Sequence, residues 1–143
     1  MTVSTILKHK GAEVATVPPD QSVADVVGVL AKHRIGSVVV MDGTRLAGIL
    51  SERDVIYILA SHGAAALAMR ADAVMTADVV TATPATTYDD AIRAMTEGRF
   101  RHMPVIDGGR LSGLVSIGDV VKARMMEQET EVDGLRAYVA GAA

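Results

Sequence analysis

The chain has 143 residues and a formal net charge of −3, and half of its residues are apolar, with one Phe, three Tyr and no Trp. This length suits one compact domain, or two small halves that share an aliphatic core, and the charge offers no basic surface for nucleic acid. The absence of cysteine excludes a disulfide scaffold and a cysteine-ligated zinc site, and no apolar run reaches the roughly 18–20 residues of a membrane span.

The first elements in chain order are a short helix, a strand and a longer helix. Met1–Gly11 is expected to form a helix or arm that precedes the first repeat, and it lacks the pattern of a signal peptide. Glu13–Val17 alternates as a strand does. Ser22 then opens a helix, and Gly36 is expected to stop it. The apolar residues of this helix keep the spacing i, i+3, i+4, i+7: Val23, Val26, Val27 and Leu30.

A hairpin and a second helix follow. Ser37–Met41 is rich in β-branched residues and reads as a buried strand. Asp42-Gly43 is a turn signal that folds the chain back into a strand over Arg45–Leu50. The next helix is expected from Ser51 to about His62-Gly63. Ala64–Asp72 is rich in alanine and is expected to bridge the halves as a helix.

The second half of the chain repeats the first at a shift of 65 positions, which aligns Thr16–Val55 with Thr81–Val120 without a gap. Each unit is predicted as β-α-β-β-α, and a single unit is too small to bury both faces of its sheet. Two units are therefore expected to pack with pseudo-two-fold symmetry and to leave two related clefts. We divide the chain into residues 1–70, with an N-terminal arm and a bridging segment, and residues 71–143, with an extended C-terminal helix. Thirteen of the 40 aligned pairs are identical, at Thr16, Pro19, Asp25, Arg34, Val40, Asp42, Gly43, Arg45, Leu46, Gly48, Ser51, Asp54 and Val55 of the first unit.

The last helix runs well past the end of the second repeat. Gly134 is expected to interrupt it, so that its last turns fray or bend. Its surplus length predicts either an oligomer contact or a loosely packed C-terminal helix. The apolar residues on this tail are Met125, Met126, Val132, Leu135, Tyr138 and Val139.

The most informative motif is duplicated: Gly48-Ile-Leu-Ser51-Glu-Arg-Asp54 and Gly113-Leu-Val-Ser116-Ile-Gly-Asp119. In each, Ser-x-x-Asp follows an apolar strand and opens a helix. A helix cap explains a lone Ser-x-x-Asp, but the repeated glycine indicates close approach by another backbone or a ligand. A hydroxyl and a carboxylate at a helix start suit a ribose phosphate better than an inorganic anion.

The duplicated pattern resembles a tandem pair of CBS (cystathionine-β-synthase) domains over about Leu7 to Arg124. Especially similar are Val74-Met75-Thr76, Arg101-His102-Met103-Pro104-Val105 and Ser116-Ile-Gly-Asp119-Val120. The resemblance implies an α/β (α+β) fold of two pseudo-symmetric β-α-β-β-α repeats packed through their sheets. It also implies a regulatory module that binds an adenine nucleotide, forms a homodimer and uses no metal.

The resemblance also implies roles for individual residues. Asp54 and Asp119 would bond ribose hydroxyls, and Ser51 and Ser116 would bond ribose or phosphate. Differences between the repeats add two further candidates: Arg53 either reaches a phosphate or stays solvated, and Arg101 with His102, where the first half has Gly36-Ser37, either supplies cationic phosphate contacts in the second half alone or forms a solvated strand end. Residues expected to line the clefts or meet the adenine are Thr16, Val17, Ser37, Val38, Val80, Thr81, Met103 and Pro104.

Three functions compete at this stage. We favour a module that senses energy or redox state through an AMP-like ligand or NAD(H), with ATP or ADP as further candidates. Catalysis is disfavoured because the sequence has no nucleophile beside a histidine, no metal set and no Walker or dinucleotide fingerprint. The alternative is a protein-interaction module with vestigial clefts. The expected partners are a nucleotide and an unidentified regulated protein, with neither nucleic acid nor membrane, and the expected address is the cytosol.

Overall fold

The computed structural model describes residues 1–142, so Ala143, the last position of the predicted second half, lies outside the described residues. The order of elements largely follows the predicted repeat. The helices are α1 (Val3–Lys10), α2 (Val23–His33), α3 (Glu52–His62), α4 (Ala71–Val74), α5 (Tyr88–Gly98) and α6 (Ile117–Ala142). The strands are β1 (Thr16–Val17), β2 (Ser37–Asp42), β3 (Arg45–Ser51), β4 (His102–Asp107) and β5 (Arg110–Ser116).

Each repeat contains one antiparallel hairpin. Strands β2 and β3 pair from Ser37↔Ser51 to Asp42↔Arg45, and β1 joins β2 in parallel. Strands β4 and β5 pair in the same register, from His102↔Ser116 onwards. The predicted turns are confirmed, because Gly43 and Gly108 have φ of 63° and 58°, a region that glycine adopts at little cost.

The first helix of each repeat ends differently from the prediction. Gly36 does not stop α2. The helix ends at Arg34, which takes the left-handed conformation at φ 53° and ψ 47°. Arg99 does the same after α5, at φ 56° and ψ 41°. A left-handed residue after the last turn satisfies orphan helix carbonyls, a position that usually favours glycine. Because the first helix of each repeat ends in a left-handed arginine, this helix end is a feature of the repeated fold.

The two sheets are buried on both faces. Val38 and Val40 project into a core formed with α2 and α3, whereas Met103 and Val105 project into a second core formed with α5 and α6. Val39, which alternates with Val38 and Val40, is also fully buried, and so it faces away from the helices. The repeats therefore pack through their sheets, and full burial of each such valine contributes about 1.5–3 kcal/mol.

The segment before each repeat packs on the other repeat. Val3 and Ile6 of α1 lie in the core of the second repeat, and Leu7 packs against Gly113. In return, Thr76 pairs with Ile49 on the edge of β3 in the first repeat. The N-terminal arm therefore packs on the second half of the chain, although the arm precedes the first half in sequence.

Two predicted helical segments differ in detail. The bridging segment begins as a 3₁₀ helix over Gly63–Ala68 and continues as the short α4, so it is only partly α-helical. Gly134 does not interrupt α6, which is continuous for 26 residues and spans about 39 Å. Among residues 1–142, no helix combines the length and the apolar character needed to cross a membrane.

Candidate functional site

The start of α3 forms a complete capping box. The backbone N–H of Ser51 donates to Oδ2 of Asp54 at 2.9 Å, and the hydroxyl of Ser51 donates to the same oxygen at 3.0 Å. The N–H of Asp54 donates back to Oγ of Ser51 at 3.2 Å. Oδ1 of Asp54 accepts no hydrogen bond from residues 1–142. The predicted cap and a free acceptor therefore coexist in one side chain.

A cavity of about 320 Å³ lies beside this capping box, between the two repeats. Three segments build it: the β3–α3 junction, the chain that follows α4, and the connection from α5 to β4. Six residues expected from the sequence are brought together here. They are Ser51, Arg53, Asp54, Val80, Arg101 and His102.

The cavity wall carries mixed charge. Arg53, Arg99 and Arg101 line it, and within residues 1–142 none of these three forms an ion pair. Glu52 and Asp78 lie on the same wall. Because a carboxylate repels a bare phosphate and accepts from hydroxyls, this mixture suits a ligand that carries both hydroxyl groups and an anion.

His102 differs from the cation that the sequence suggested. Burial lowers the pKa of His102, and the nearby Lys10 lowers it further, while Glu52 and Asp119 oppose the shift. A histidine whose pKa lies below its usual value of about 6.5 is neutral at pH 7. The permanent positive charge in this pair therefore comes from Arg101, and His102 offers a neutral ring nitrogen.

The second capping box, at the start of α6, is engaged by the N-terminal arm. The N–H of Ser116 donates to Oδ2 of Asp119 at 2.9 Å, as in the first repeat. Nζ of Lys10 also donates to this oxygen at 2.6 Å, and to the carbonyl of Leu114 at 2.9 Å. Burial raises the pKa of Asp119, but the bonds from Lys10 and Ser116 outweigh burial and hold that pKa below its usual value.

The duplicated glycines have a structural explanation. A side chain at Gly48 would meet the backbone oxygen of Thr76 at 2.8 Å and collide with Met75. A side chain at Gly113 would meet a methyl group of Leu7 at 2.6 Å. Both glycines thus make room for the crossing segments. The repeated glycines were expected to allow close approach by another backbone or by a ligand. The structure shows another part of the chain at both glycines.

Comparison with known proteins decides the family. The CBS domain family matches residues 3–61 and 71–126. The chain belongs to the CBS domain family. This result confirms the resemblance seen in the sequence and the fold of two pseudo-symmetric repeats.

Individual relatives extend the match over most of the chain. The CBS domain-containing protein CBSX3, mitochondrial, of Arabidopsis thaliana is 34% identical over 149 residues, covering 98% of this chain and 72% of CBSX3. The crystal structure of the CBS-domain containing protein ATU1752 from Agrobacterium tumefaciens superposes with a TM-score of 0.84 at 46% identity, covering 87% of this chain and 99% of that chain.

A more distant structure was solved with ligands. The CBS domain pair of protein MJ0100, in complex with 5′-methylthioadenosine and S-adenosyl-L-methionine, matches with a TM-score of 0.78 at 23% identity. The match covers 89% of this chain and 98% of that chain, and at this identity it shows the shared fold alone.

Several expected site residues of this CBS pair do not line the cavity. Val17 and Val38 pack in the core of the first CBS repeat and Met103 in the core of the second, so only their backbones are available to a ligand. Pro104 is buried within the sheet. Their apolar side chains gain more from the core than from a polar cleft, so a contact between these residues and a ligand stays a prediction for their backbones.

The remaining expected residues fall into two groups. Thr16 and Thr81 are exposed, at the edges of their repeats. Ser37 is 2% exposed, and its Oγ has no hydrogen-bond partner among the described residues. Ser116 and Asp119 form the second capping box, away from the 320 Å³ cavity.

The cavity also contains residues that the motifs did not indicate. Ile49, Val79 and Phe100 provide its apolar wall, and Thr76 and Asp78 enter from the crossing segment. Phe100 is the only phenylalanine of the chain and stands next to Arg101, so its position was the one available signal. Residues 1–142 contain no cluster of three or more His, Asp or Glu side chains able to hold a metal ion.

Proposed function

We propose that this CBS pair is a regulatory module that binds an adenine nucleotide in the cleft at Asp54 and has no catalytic activity of its own. One observation supports this assignment most directly. Asp54 at the start of α3, with one carboxylate oxygen that accepts no hydrogen bond within residues 1–142, lines a cavity between the repeats together with Arg53, Arg99 and Arg101, which form no ion pair within the same residues. These are the groups that a sugar diol and a phosphate require.

Each part of the nucleotide has a complementary wall. The ribose hydroxyls would donate to Asp54, and the phosphate would lie between Arg53 and Arg101, which are able to make charge-assisted hydrogen bonds. The adenine would pack against Ile49, Val80 and Phe100. The adenosine ligands in the MJ0100 complex support this ligand class for the fold.

The size of the cavity favours a mononucleotide. Ligand pockets in proteins span about 300–1,000 Å³, and the volume here, about 320 Å³, lies at the lower end. An AMP-like ligand therefore fits better than NAD(H), which carries a second nucleotide. ADP and ATP extend an AMP only by phosphates, and the arginines extend along the α5–β4 connection to receive them.

The signalling step follows from the position of the cleft. Its walls come from both CBS repeats, so a bound ligand bridges them. A ligand changes the relative orientation of the repeats only if it binds one arrangement better than the other. We propose that AMP favours the arrangement in which Arg53 and Arg101 both reach the phosphate, which would report the energy state of the cell.

Two measurements test the proposal. Native mass spectrometry of the purified protein is expected to show a bound adenine nucleotide and its stoichiometry. Added AMP at 100 times its dissociation constant should raise the free energy of unfolding by about 2.7 kcal/mol. NAD⁺, NADH, ADP and ATP are measured in parallel, and GMP is the matched control for the base. If no adenine nucleotide stabilises the fold, the proposal is wrong.

We also propose that α6 contacts a second copy of the chain, which gives a homodimer. The side chains of Leu135, Tyr138 and Val139 are 64%, 74% and 61% exposed, and their spacing of i, i+3, i+4 puts these apolar groups on one face of the helix. This surface also supports the alternative function as an interaction module. The cytosolic address stays a prediction, and the relative CBSX3 is named as mitochondrial.

A further inference from the structure

We propose that residues 125–139 of α6 form a parallel, two-stranded coiled coil with the same residues of a second copy of the chain. This inference rests on the proposed homodimer and deepens it, because it names the contact surface, the relative direction of the two helices and the residues that select a second copy. It is independent of the nucleotide that the cleft at Asp54 is proposed to bind.

The second half of α6 extends beyond the two repeats. Every side chain from residue 128 to residue 141 is exposed, although the helix continues without a break to Ala142. An isolated helix of about 12–15 residues is only marginally stable in water, and most helices in proteins are stabilised by tertiary packing. A partner helix would therefore stabilise this segment.

Six positions on the outer face of α6 have the spacing of a coiled-coil seam. They recur at alternating steps of four and three residues, which is the 3.5-residue repeat of the apolar positions in coiled coils. Five of the six side chains are apolar and 41–64% exposed, and the sixth is a glutamine. The six positions are Val121, Met125, Gln128, Val132, Leu135 and Val139.

The apolar residues of this seam favour two parallel helices. In the heptad notation abcdefg, Val132 and Val139 are at a positions and Leu135 is at a d position. β-branched residues at a, combined with leucine at d, favour parallel coiled coils of two strands. The sequence of the seam therefore indicates a dimer and the direction of its helices.

Gln128, at a d position, separates parallel from antiparallel pairing. In a parallel dimer each d residue faces its own counterpart, so the two Gln128 amides can form hydrogen bonds with each other. In an antiparallel pair a d residue faces an a residue, and Gln128 would lie against an apolar side chain such as Val132 or Val139. A buried amide without a partner is unfavourable, so Gln128 selects the parallel arrangement.

The charged residues beside the seam are complementary to those of a second copy. In a parallel coiled coil, a g residue faces the e residue five positions later on the other helix, and such pairs set partner choice. Glu131 at g would face Arg136 at e of the second copy, and within residues 1–142 neither forms an ion pair. Arg124 and Glu129 form the preceding g–e pair and also have opposite charges, although Arg124 already has ion-pair partners within the chain. A second copy is therefore the occupant that the charges favour.

Cysteine cross-linking tests the direction of the helices. The chain has no cysteine, so a single substitution in the full chain gives an unambiguous product. Leu135→Cys is expected to form a disulfide between two copies under mild oxidation, because d residues face each other in a parallel pair. Ala137→Cys, at an f position on the outer side of the helix, is the matched control. It should cross-link far more slowly, since cysteines whose Cα atoms lie more than about 7 Å apart do not bridge.

Exchange of two charges tests the selection of a second copy. Glu131→Lys and Arg136→Glu should each raise the dissociation constant of the dimer about 10-fold in analytical ultracentrifugation, because each turns two attractive pairs into repulsive ones. The double variant, Glu131→Lys with Arg136→Glu, should recover most of the affinity. Asp133→Lys, at a b position outside the seam, is the control for a reversed charge. Circular dichroism and thermal unfolding check that all variants fold.

Three results would overturn the parallel coiled coil. The first is cross-linking of Leu135→Cys no faster than that of Ala137→Cys. The second is a double charge variant whose dimer is as weak as those of the single variants. The third is a wild type that stays monomeric at every concentration measured, which would overturn the homodimer as well. AMP binding by the wild type is measured separately, so none of these results bears on the proposed nucleotide site.

Discussion

Arg53, in the first turn of α3, donates through Nη1 to the backbone carbonyl of Arg99 at 3.1 Å. The bond joins the first repeat to the second, and both residues line the cavity. It uses one of the five guanidinium N–H groups of Arg53 and leaves the others available. The same residue therefore connects the repeats and is positioned to contact a ligand between them.

Arg53→Gln tests the phosphate contact. The variant keeps a hydrogen-bond donor but removes the charge, so AMP affinity should fall about 10- to 100-fold, as expected for bonds to a charged group. Adenosine, which lacks the phosphate, should bind the variant and the wild type equally. Arg110→Gln, in the distant β4–β5 hairpin, is the control for the loss of one positive charge. Equal losses for AMP and adenosine would show that Arg53 does not contact the phosphate.

The two motif aspartates should respond differently to the same substitution. In Asp54→Asn the side chain can still cap α3, but it loses the charge that attracts the ribose hydroxyls. AMP affinity should fall about 10- to 100-fold. In Asp119→Asn it should change less, because Asp119 does not line the 320 Å³ cavity and its charge is already paired with Lys10 through Oδ2. Calorimetry measures both affinities, and unfolding without ligand checks the caps. A larger effect in Asp119→Asn would place the AMP site in the cleft at Asp119.

The repeat allowed most of the fold to be predicted, because turn chemistry and apolar periodicity act locally. Gly43 and Gly108 are required where φ is positive, and Ser51 caps the helix that follows it in sequence. The crossing of α1 onto the second repeat was not predictable in this way. It depends on which core Val3 and Ile6 enter, and an apolar helix face does not specify its partner.

The candidate site was predictable only as far as the motif residues. Ser51 and Asp54 belong to the repeated motif, Arg101 and His102 are polar residues found in the second repeat alone, and the four meet at one cavity. The carboxylate of Asp119 is paired with the ammonium group of Lys10, which is 109 residues away in sequence. No local pattern couples two such positions, so the difference between the clefts became visible only from the packing of α1.

Arg34→Gly should stabilise the protein. Arg34 has φ of 53°, and an L-residue in this region costs roughly 1–2 kcal/mol that glycine avoids. The entropy that glycine adds to the unfolded chain offsets part of this gain. We therefore expect the free energy of unfolding, measured in urea, to rise by about 0.5–1 kcal/mol. Arg34→Ala is the control, since it removes the same side chain and keeps the strain. A gain of the same size in Arg34→Ala would contradict the backbone explanation.

Leu135→Glu should separate the proposed homodimer. Leu135 is 64% exposed on α6, so a charge there costs little in a monomer but would be buried without a partner in a dimer interface. Analytical ultracentrifugation should show the wild type as a dimer and the variant as a monomer. Ala137→Glu adds the same charge two residues away and tests whether the effect is specific to the apolar surface. If the Leu135→Glu variant remains a dimer, the dimer interface does not include this surface of α6.

Because the pKa of His102 is lowered in the folded protein, we expect the protein to lose stability in mild acid. Burial, together with the positive charge of Lys10, lowers the pKa of His102 in the folded protein. The unfolded chain, in which a histidine titrates near about 6.5, therefore binds a proton more readily than the folded chain. The stabilisation is complete above about pH 6.5 and is lost as the pH falls through the lower folded pKa.

Urea unfolding at pH 7.5, 6.5 and 5.5 measures this contribution. The wild type should lose free energy of unfolding over this range, and His102→Gln should lose less, because its side chain does not titrate. His62→Gln, at the exposed end of α3, is the control for the loss of a histidine. In Lys10→Met, removal of the nearby cation should raise the NMR titration midpoint of His102. A midpoint that stays at its wild-type value in that variant would show that the charge of Lys10 does not influence His102.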